Sequence, residues 1–174
     1  VATGDERLAV VARETADYVL REMTDAQGGF WSTTDADSEG VEGKFFTWSL
    51  DELRTVLGED ADLGVAAWGV TRAGNWEQTN ILTRAKTASA LAKQFELPVA
   101  EIERRLARAR SSLYAHRQQR VAPHLDDKIL SGWNALMIDA LCYAHSILDE
   151  PRYLVAARAA AEFVLTEMRD ESGR

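Results

Sequence analysis

An internal repeat constrains the fold of this chain more than any other feature of the sequence. Arg7–Gly28 aligns with Arg152–Gly173 at an offset of 145 residues. In both segments apolar residues recur at intervals of three and four, which predicts a helix with one apolar face. A glycine closes each copy and predicts the end of its helix. In the first copy the shared residues include Val10, Ala12, Arg13, Ala16, Val19, Leu20, Glu22, Met23, Asp25 and Gly28.

The two copies differ in what precedes them. Before the second copy, a segment from about Lys128 to Leu148 is apolar almost all round, and such a helix is expected to be covered on several sides. The second copy therefore predicts a hairpin of an inner and an outer helix. The first copy has no inner partner, so the chain is expected to begin in mid-hairpin. We expect residues 1–174 to be the N-terminal part of a larger array of helical hairpins.

An acidic and aromatic segment, Gly28–Trp48, follows the helix of the first copy. Its two β-like pieces, Gly29–Thr33 and Lys44–Trp48, predict a hairpin with a long acidic loop. Carboxylates flanked by aromatic residues are typical of a site that holds a polar ligand between flat apolar faces. The carboxylates are Asp35, Asp37, Glu39 and Glu42, and the aromatic residues are Phe30, Trp31, Phe46 and Trp48.

Local helix signals divide the rest of the chain. Ser49–Glu52 is a capping box, which predicts a helix that Gly58 ends. Thr87 is a candidate N-cap, and Pro98 suits a first helical turn. The predicted helices cover about residues 5–24, 50–57, 60–68, 88–95, 98–118, 128–148 and 151–168.

Charge and composition exclude several classes of function. The net charge of −8, from 28 acidic and 20 basic side chains, disfavours a nucleic-acid partner, because that role needs a basic surface. A membrane role is also disfavoured, since no apolar run approaches the roughly 18 residues of a spanning helix. The N-terminus lacks a signal-peptide pattern, and the single cysteine, Cys142, cannot form an internal disulfide. We therefore expect a cytoplasmic protein.

Three motifs carry a resemblance to a known family. They are Gly28–Phe46, with Asp-Ala-Asp-Ser-Glu-Gly-Val-Glu-Gly-Lys at its centre, Asn80-Ile-Leu, and residues 123–138, Pro-His-Leu-Asp-Asp-Lys-Ile-Leu-Ser-Gly-Trp-Asn-Ala-Leu-Met-Ile. Over essentially its whole length, the chain resembles the YyaL-like and spermatogenesis-associated thioredoxin-domain-containing proteins. The departures are mild, because Trp31 and Ala135 stand where tyrosine and glycine are expected.

The resemblance implies a fold and a range of functions. It implies an all-α fold, a partial (α/α) six-hairpin toroid with a small β-hairpin excursion near residues 29–48. In the family this glycosidase-like toroid follows a thioredoxin-like domain, which this sequence does not include. The toroid is shared with sugar epimerases and glycoside hydrolases. The resemblance therefore specifies the fold more closely than the function.

The leading functional hypothesis is acid/base chemistry on a carbohydrate or a similar polyol: epimerisation, isomerisation or hydrolysis. Such chemistry needs two carboxylates with separated pKa values. An isolated part of the toroid is expected to be inactive. The candidate catalytic residues are Asp35, Asp37, His124, Asp126 and Asp127. The candidate substrate-binding residues are Trp31, Glu39, Glu42, Lys44, Phe46, Trp48, Lys128, Trp133 and Asn134.

Each candidate also has a structural interpretation. The loop acids can cap loop amides and pair with Lys44, and one of Asp126 and Asp127 is expected to be the N-cap of the next helix. His124 is either a general base or a loop residue that forms a hydrogen bond. The alternative functional hypothesis is a non-catalytic helical scaffold or binding module that serves the attached thioredoxin-like domain.

Cofactors are not predicted, and the expected partners are few. The acidic loop begins like a calcium-binding hand, but Phe46 stands where a bidentate glutamate is needed. The sequence has no cluster of cysteine and histidine, so no metal is expected. The expected ligand is a small carbohydrate or polyol. The open helical face is expected to let copies of the chain self-associate.

Overall fold

The computed structural model describes residues 4–170, 172 and 173, which are mostly helical. This confirms the all-α class with a small β excursion. The helices are α1 (Glu6–Glu22), α2 (Leu50–Leu57), α3 (Ala61–Trp68), α4 (Ala88–Phe95), α5 (Val99–Arg117), α6 (Ser131–Leu148) and α7 (Pro151–Glu167), with a 3-10 turn at Gly58–Asp60. The two-residue strands are β1 (Thr33–Thr34), β2 (Asp37–Ser38), β3 (Val41–Glu42) and β4 (Leu125–Asp126).

The chain divides into two compact units. Unit 1 comprises Val1–Thr34 and Leu125–Arg174, and unit 2 comprises Asp35–His124. Unit 1 holds α1, α6, α7 and the β1–β4 pair, and unit 2 holds α2 to α5 and the β2–β3 pair. The toroid and its later hairpins stay a prediction.

In unit 1, the predicted repeat is a structural repeat. α1 and α7 have 17 residues each, and the offset of 145 carries both the first and the last residue of α1 onto those of α7. The turns that follow are also alike. The carbonyl of Asp25 accepts the amide of Gly28 at 3.0 Å, and the carbonyl of Asp170 accepts that of Gly173 at 2.9 Å. Each aspartate carboxylate also accepts an amide two residues on.

The two copies nevertheless pack differently. α7 buries Tyr153, Ala157 and Ala160 in a core cluster that includes Leu141 of α6. The equivalent positions of α1 are Leu8, Ala12 and Thr15, and all three are exposed. α1 joins the same cluster through Ala16, on another of its faces. The two copies therefore use different faces for packing, and the prediction that the first copy belongs to a hairpin begun earlier stays a prediction.

The predicted burial of α6 is wrong for this chain. Of its 18 residues, Asn134 and Leu141 are buried, while a line of apolar residues faces solvent. The line follows a spacing of three and four along the helix. We call it the α6 stripe, and its members are Trp133, Leu136, Ala140, Tyr143 and Ile147. An apolar sequence predicts a covered helix only if the covering elements are present.

In unit 2, the predicted helix starts are confirmed. Ser49 Oγ accepts the amide of Glu52 at 3.1 Å, and Thr87 Oγ1 accepts that of Ala90 at 3.2 Å. The core clusters lie where α2 and α3 meet α5 and where α3 meets α4 and α5. Pro98 precedes α5 as its N-cap, one position before the first turn.

Two local predictions are wrong. Gly29–Thr33 and Lys44–Trp48 do not pair with each other, because β1 pairs with β4 and β2 pairs with β3. Asp126 and Asp127 do not cap α6, which begins after Leu130. The N-cap residue is Leu130, and no side chain there accepts an amide of the first turn. In the part of the chain that the structure describes, no helix is long and apolar enough to cross a membrane.

Candidate functional site

Two buried asparagines fix the loops that carry the candidate residues. In unit 1, Asn134 Oδ1 accepts the amide of Phe30 at 2.8 Å, and its Nδ2 donates to the carbonyls of Phe30 and Leu130. It is 1% exposed, and its three hydrogen bonds satisfy the amide and carbonyl of Phe30 and the carbonyl of Leu130, the residue before α6. Asn134 was predicted to bind substrate, and here its amide is occupied by the protein's own backbone.

Asn80 does the same in unit 2. Its Oδ1 accepts the amide of Thr71 at 2.9 Å, and its Nδ2 donates to the carbonyls of Thr71 and Trp48. The backbone of Asn80 also pairs with that of Trp48. The Asn80-Ile-Leu motif therefore anchors the end of the acidic segment. Both asparagines hold an amide and a carbonyl of one residue and a carbonyl of a second.

The other unit 1 candidates lie around the β1–β4 pair and the start of α6. Asp126 pairs with Lys128 at 3.1 Å, and its Oδ1 accepts the amide of Lys128 at 3.3 Å. Asp127 is exposed. Trp31 is half-buried and donates its amide to the carbonyl of Met23. Trp133 is exposed as part of the α6 stripe.

The acidic loop of unit 2 is a tight hairpin. Asp35 Oδ1 accepts the amide of Asp37 at 3.1 Å, and Asp37 lies opposite Glu42 in the β2–β3 pair. The amide of Asp35 donates to the carbonyl of His124 at 2.7 Å, so these two predicted catalytic residues are neighbours in unit 2. All four side chains are exposed. The hydrogen bond to the amide of Asp37 matches the capping role that the sequence left open for Asp35.

A cleft of about 500 Å³ lies beside this hairpin, within unit 2. Glu39 and Lys44 line it and pair at 2.7 Å. Glu52 and Arg120 also line it and pair at 2.7 Å. The remaining lining residues are Ser38, Phe45, Thr47, Ser49, Thr79, Gln119 and Val121. The cleft therefore offers hydroxyl groups, two balanced ion pairs and one aromatic ring.

Arg120 holds the floor of the cleft in place. Its guanidinium donates to the carbonyls of Phe45 at 2.7 Å and Thr47 at 2.9 Å, and it lies 4.1 Å from the ring centroid of Trp48. Trp48 is buried, so this predicted ligand platform stacks on the arginine instead of facing solvent. Arg120 binds the carbonyls of Lys44, Phe45 and Thr47. It therefore fixes the backbone from which the side chains of Lys44 and Phe45 project.

Glu52 links the cleft to α5. Its Oε1 lies 2.7 Å from Nη2 of Arg120 and 3.3 Å from Nε2 of His116. The ring of His116 lies against that of Trp48, with centroids 5.8 Å apart. His116 therefore contacts a carboxylate that lines the cleft.

Two strained turns adjoin the cleft. Glu39 has a φ of 54°, and Glu77 and Gln78 have φ values of 41° and 66° immediately before Thr79. A left-handed conformation costs a non-glycine residue about 1–2 kcal/mol. Glu39 and Thr79 both line the cleft. The fold therefore tolerates local strain where it presents polar side chains to this cavity.

No pattern in the sequence marks Glu52, Arg120 and Thr47 as parts of a site. Glu52 was assigned only to a capping box, and its partner Arg120 lies 68 positions away. A pairing over that distance leaves no periodic or local signal. Of the predicted residues, the cleft brings together Glu39 and Lys44. Among the described residues, no three His, Cys, Asp or Glu side chains are grouped so as to hold a metal ion.

Comparison with known proteins places the chain in a family. No protein-family model matches it. It is 30% identical to human spermatogenesis-associated protein 20, over 99% of this chain and 25% of the relative. The rat protein of the same name gives the same identity and coverage. An uncharacterized protein of Caenorhabditis elegans is 29% identical over 83% of this chain and 23% of its own length.

The fold and the site define a helical protein with a polar cleft held by asparagine-anchored loops. The chain belongs to the family of spermatogenesis-associated protein 20. It spans about a quarter of the length of the curated relatives that it matches. The resemblance that the sequence motifs indicated is therefore confirmed at the level of the family.

Proposed function

We propose that unit 2 binds a small neutral polyhydroxylated ligand, a carbohydrate or a similar polyol, in the cleft between Glu39 and Arg120. The observation that carries this proposal is the composition of the cleft lining. Its cations and carboxylates are paired with each other, so a charged ligand would have to break an ion pair. Hydroxyl groups of a ligand can donate to the carboxylates and accept from Lys44 without doing so.

The size and the walls of the cleft support the same class of ligand. A volume of about 500 Å³ lies within the range of small-molecule sites. Phe45 is mostly buried, and the part of its side chain that lines the cleft offers an apolar contact for the C–H groups of a sugar. Ser38 and Thr79 already donate their hydroxyl protons to carbonyls of the protein, so their oxygens keep the capacity to accept from a ligand.

Acid/base chemistry on that ligand is a second candidate function. Glu39 and Glu52 are the two carboxylates that line one cleft, and carbohydrate hydrolysis of this type uses two carboxylates. Asp35 and Asp126 accept backbone amides with their carboxylates, which favours an architectural role for both. The catalytic assignment that we favour therefore moves from the predicted acids to Glu39 and Glu52.

A panel of neutral sugars and polyols tests the binding proposal. We expect at least one to raise the melting temperature of the protein and to shift amide resonances of residues 38–52 and 119–121. Glu39→Gln keeps the shape of the side chain and removes its charge, so it should weaken binding. Glu96→Gln is the matched control, because Glu96 is exposed, has the same φ of 54° and does not line the cleft.

The same panel separates binding from catalysis. Turnover that Glu52→Gln abolishes, with binding retained, would support the enzyme. Binding without turnover would support the binding module and count against catalysis. If no compound in the panel binds, or if Glu39→Gln and Glu96→Gln behave alike, the proposal fails.

We also propose that the α6 stripe is a contact surface for a second copy of the chain. Its residues alternate at three and four positions, the spacing with which helices pack along one another. Leu136 is 71% exposed, and the stripe continues to Tyr143, at 63%. Burying such a surface against a second helix would remove apolar area from water. Light scattering over a range of protein concentrations tests this, and a monomer throughout would refute it.

A cytoplasmic location belongs with these proposals. It rests on the single cysteine and on the absence of asparagine glycosylation sequons in the sequence. Fluorescence microscopy of the tagged full-length protein tests it.

A further inference from the structure

An aromatic cluster in unit 2 surrounds one arginine. The guanidinium of Arg117 lies 5.3 Å from the ring centroid of Phe45 and 5.4 Å from those of Phe46 and Tyr114. Phe45 and Phe46 meet edge to face, with centroids 5.0 Å apart. Three rings therefore hold one cation in a fixed position, by the attraction of a cation to the face of an aromatic ring.

The guanidinium of Arg117 forms no hydrogen bond with the described residues. Its Nε is buried and has no hydrogen-bond partner among the described residues. Within the described part of the chain, no carboxylate or carbonyl forms a hydrogen bond or an ion pair with the two terminal nitrogens, and neither of them is a fully buried atom. Both terminal nitrogens therefore keep some exposure to solvent. The half-buried arginines Arg13, Arg105 and Arg120, by contrast, each make an ion pair.

An unpaired, half-buried arginine is unexpected in a chain with 28 acidic and 20 basic side chains. A carboxylate partner would be readily available if the role of Arg117 were only to hold the fold. The three rings partly desolvate the guanidinium of Arg117, and they also fix its orientation. A guanidinium held in this way has two parallel donors ready for two oxygens of one anion.

We propose that Arg117 binds a two-oxygen anionic group, a carboxylate or a phosphate, on a ligand of this protein. The rings of Phe45, Phe46 and Tyr114 orient the guanidinium, and its two terminal nitrogens donate to the anion. This site adjoins the polyol cleft, because Phe45 belongs to both, but Arg117 itself does not line the cleft. The proposal does not rest on the proposed function.

Nuclear magnetic resonance of the arginine side chain provides the test. Because the Nε–H of Arg117 is shielded from water, its resonance should be visible at neutral pH and assignable by its loss in Arg117→Lys. We expect separate titrations with inorganic phosphate and with acetate to show a saturable shift in at least one of them. The anion with the tighter binding identifies the preferred group. A linear, unsaturated shift with both anions would overturn the proposal.

Two variants separate the site from a general response to salt. Phe46→Leu removes one ring at a position that is 42% exposed, and it should weaken anion binding about two- to five-fold while the melting temperature changes little. Arg84→Lys replaces an exposed arginine of the same unit and should leave the titration unchanged. Full affinity in Phe46→Leu, or an equal loss in Arg84→Lys, would contradict the site.

A purely structural role for Arg117 makes a different prediction. Arg117 ends α5, where the helix dipole favours a cation. If that were its whole role, the Arg117→Lys variant would keep most of the stability of the parent protein. In the parent protein, neither anion would then shift the Nε–H resonance of Arg117. That result would also overturn the proposal.

Discussion

The two units use the same device in their loops and present different surfaces. Asn134 in unit 1 and Asn80 in unit 2 each hold the amide and the carbonyl of one loop residue together with a second carbonyl. Unit 1 then exposes the apolar α6 stripe, whereas unit 2 forms a polar cleft. The comparison teaches that the anchored loops provide architecture, and that the surface beside them determines what each unit can bind.

The largest expected effect comes from removing the anchors. Asn134→Ala and Asn80→Ala should each lower the free energy of unfolding by about 3–4 kcal/mol, because each leaves the amide and the carbonyl of one loop residue without partners. The second carbonyl, of Leu130 or Trp48, keeps a backbone amide as its partner. Hydrogen exchange distinguishes the units: Asn134→Ala should release the amide of Phe30, and Asn80→Ala that of Thr71. Exposed Asn75, which also bonds to backbone, is the control, and Asn75→Ala should cost less. Loss of both amides in either variant would break the comparison.

The second effect tests a buried ion-pair network within unit 2. Asp60 pairs with Arg105 and Arg108 and is 3% exposed. Burial alone would raise the pKa of Asp60, but the hydrogen bonds from Arg108 and Arg105 outweigh it and hold the pKa below its usual range. We expect Asp60→Asn to lower the free energy of unfolding by about 2–3 kcal/mol at neutral pH, since Arg105 and Arg108 then lose the buried carboxylate that both bind.

The pH dependence of that effect has a definite sign. A carboxyl group with a lowered pKa in the folded state stabilises the protein above its unfolded pKa of about 3.9. The contribution is lost as the pH falls from there through the folded pKa, so the difference between Asp60→Asn and the parent should shrink in acid. Asp62→Asn is the control, because the Asp62–Arg54 pair is exposed and should contribute little. Equal effects of the two variants, measured by urea unfolding, would refute this interpretation.

The third effect is a gain in stability. Glu39 is held at a φ of 54°, which glycine adopts without strain, so Glu39→Gly should raise the free energy of unfolding by about 0.5–1 kcal/mol. Glu96→Gly, at the same φ, should give a similar gain. Only Glu39→Gly should lose affinity for a polyol, as measured by calorimetry with a ligand from the panel. If both variants bind equally well, the strain at Glu39 has no connection with the cleft.

Some of these features could be predicted from the sequence because they depend on residues close together along the chain. Capping by Ser49 and Thr87 is local, and the repeat copies both a helix and its turn, so both were predictable. The pairing of β1 with β4 joins residues more than 90 positions apart in two-residue strands, which are too short for a period to emerge. The cleft depends on pairs such as Glu52–Arg120, which no spacing rule connects.

The α6 stripe illustrates the opposite error. Its apolar residues were recognised, but burial was inferred from composition, and burial depends on a neighbour that composition does not supply. In unit 1, α7 covers one side of α6 through Tyr153 and Ala157, and the stripe stays open. The same composition is therefore compatible with a buried helix in an assembly and with an exposed one in this chain.

The smallest effect on folding should come from the stripe itself. Leu136 is 71% exposed, so Leu136→Lys should change the free energy of unfolding by less than about 0.5 kcal/mol. On the same helix, Leu141→Ala should cost about 2–5 kcal/mol, because Leu141 is 1% exposed.

If the stripe is the contact between copies, Leu136→Lys should shift the mass measured by light scattering towards the monomer. A lysine introduced at exposed Asp139 controls for charge, since Asp139 lies beside the stripe and not on it. Self-association that survives Leu136→Lys would place the contact on another surface, and the contrast between an apolar unit 1 and a polar unit 2 would lose its functional meaning.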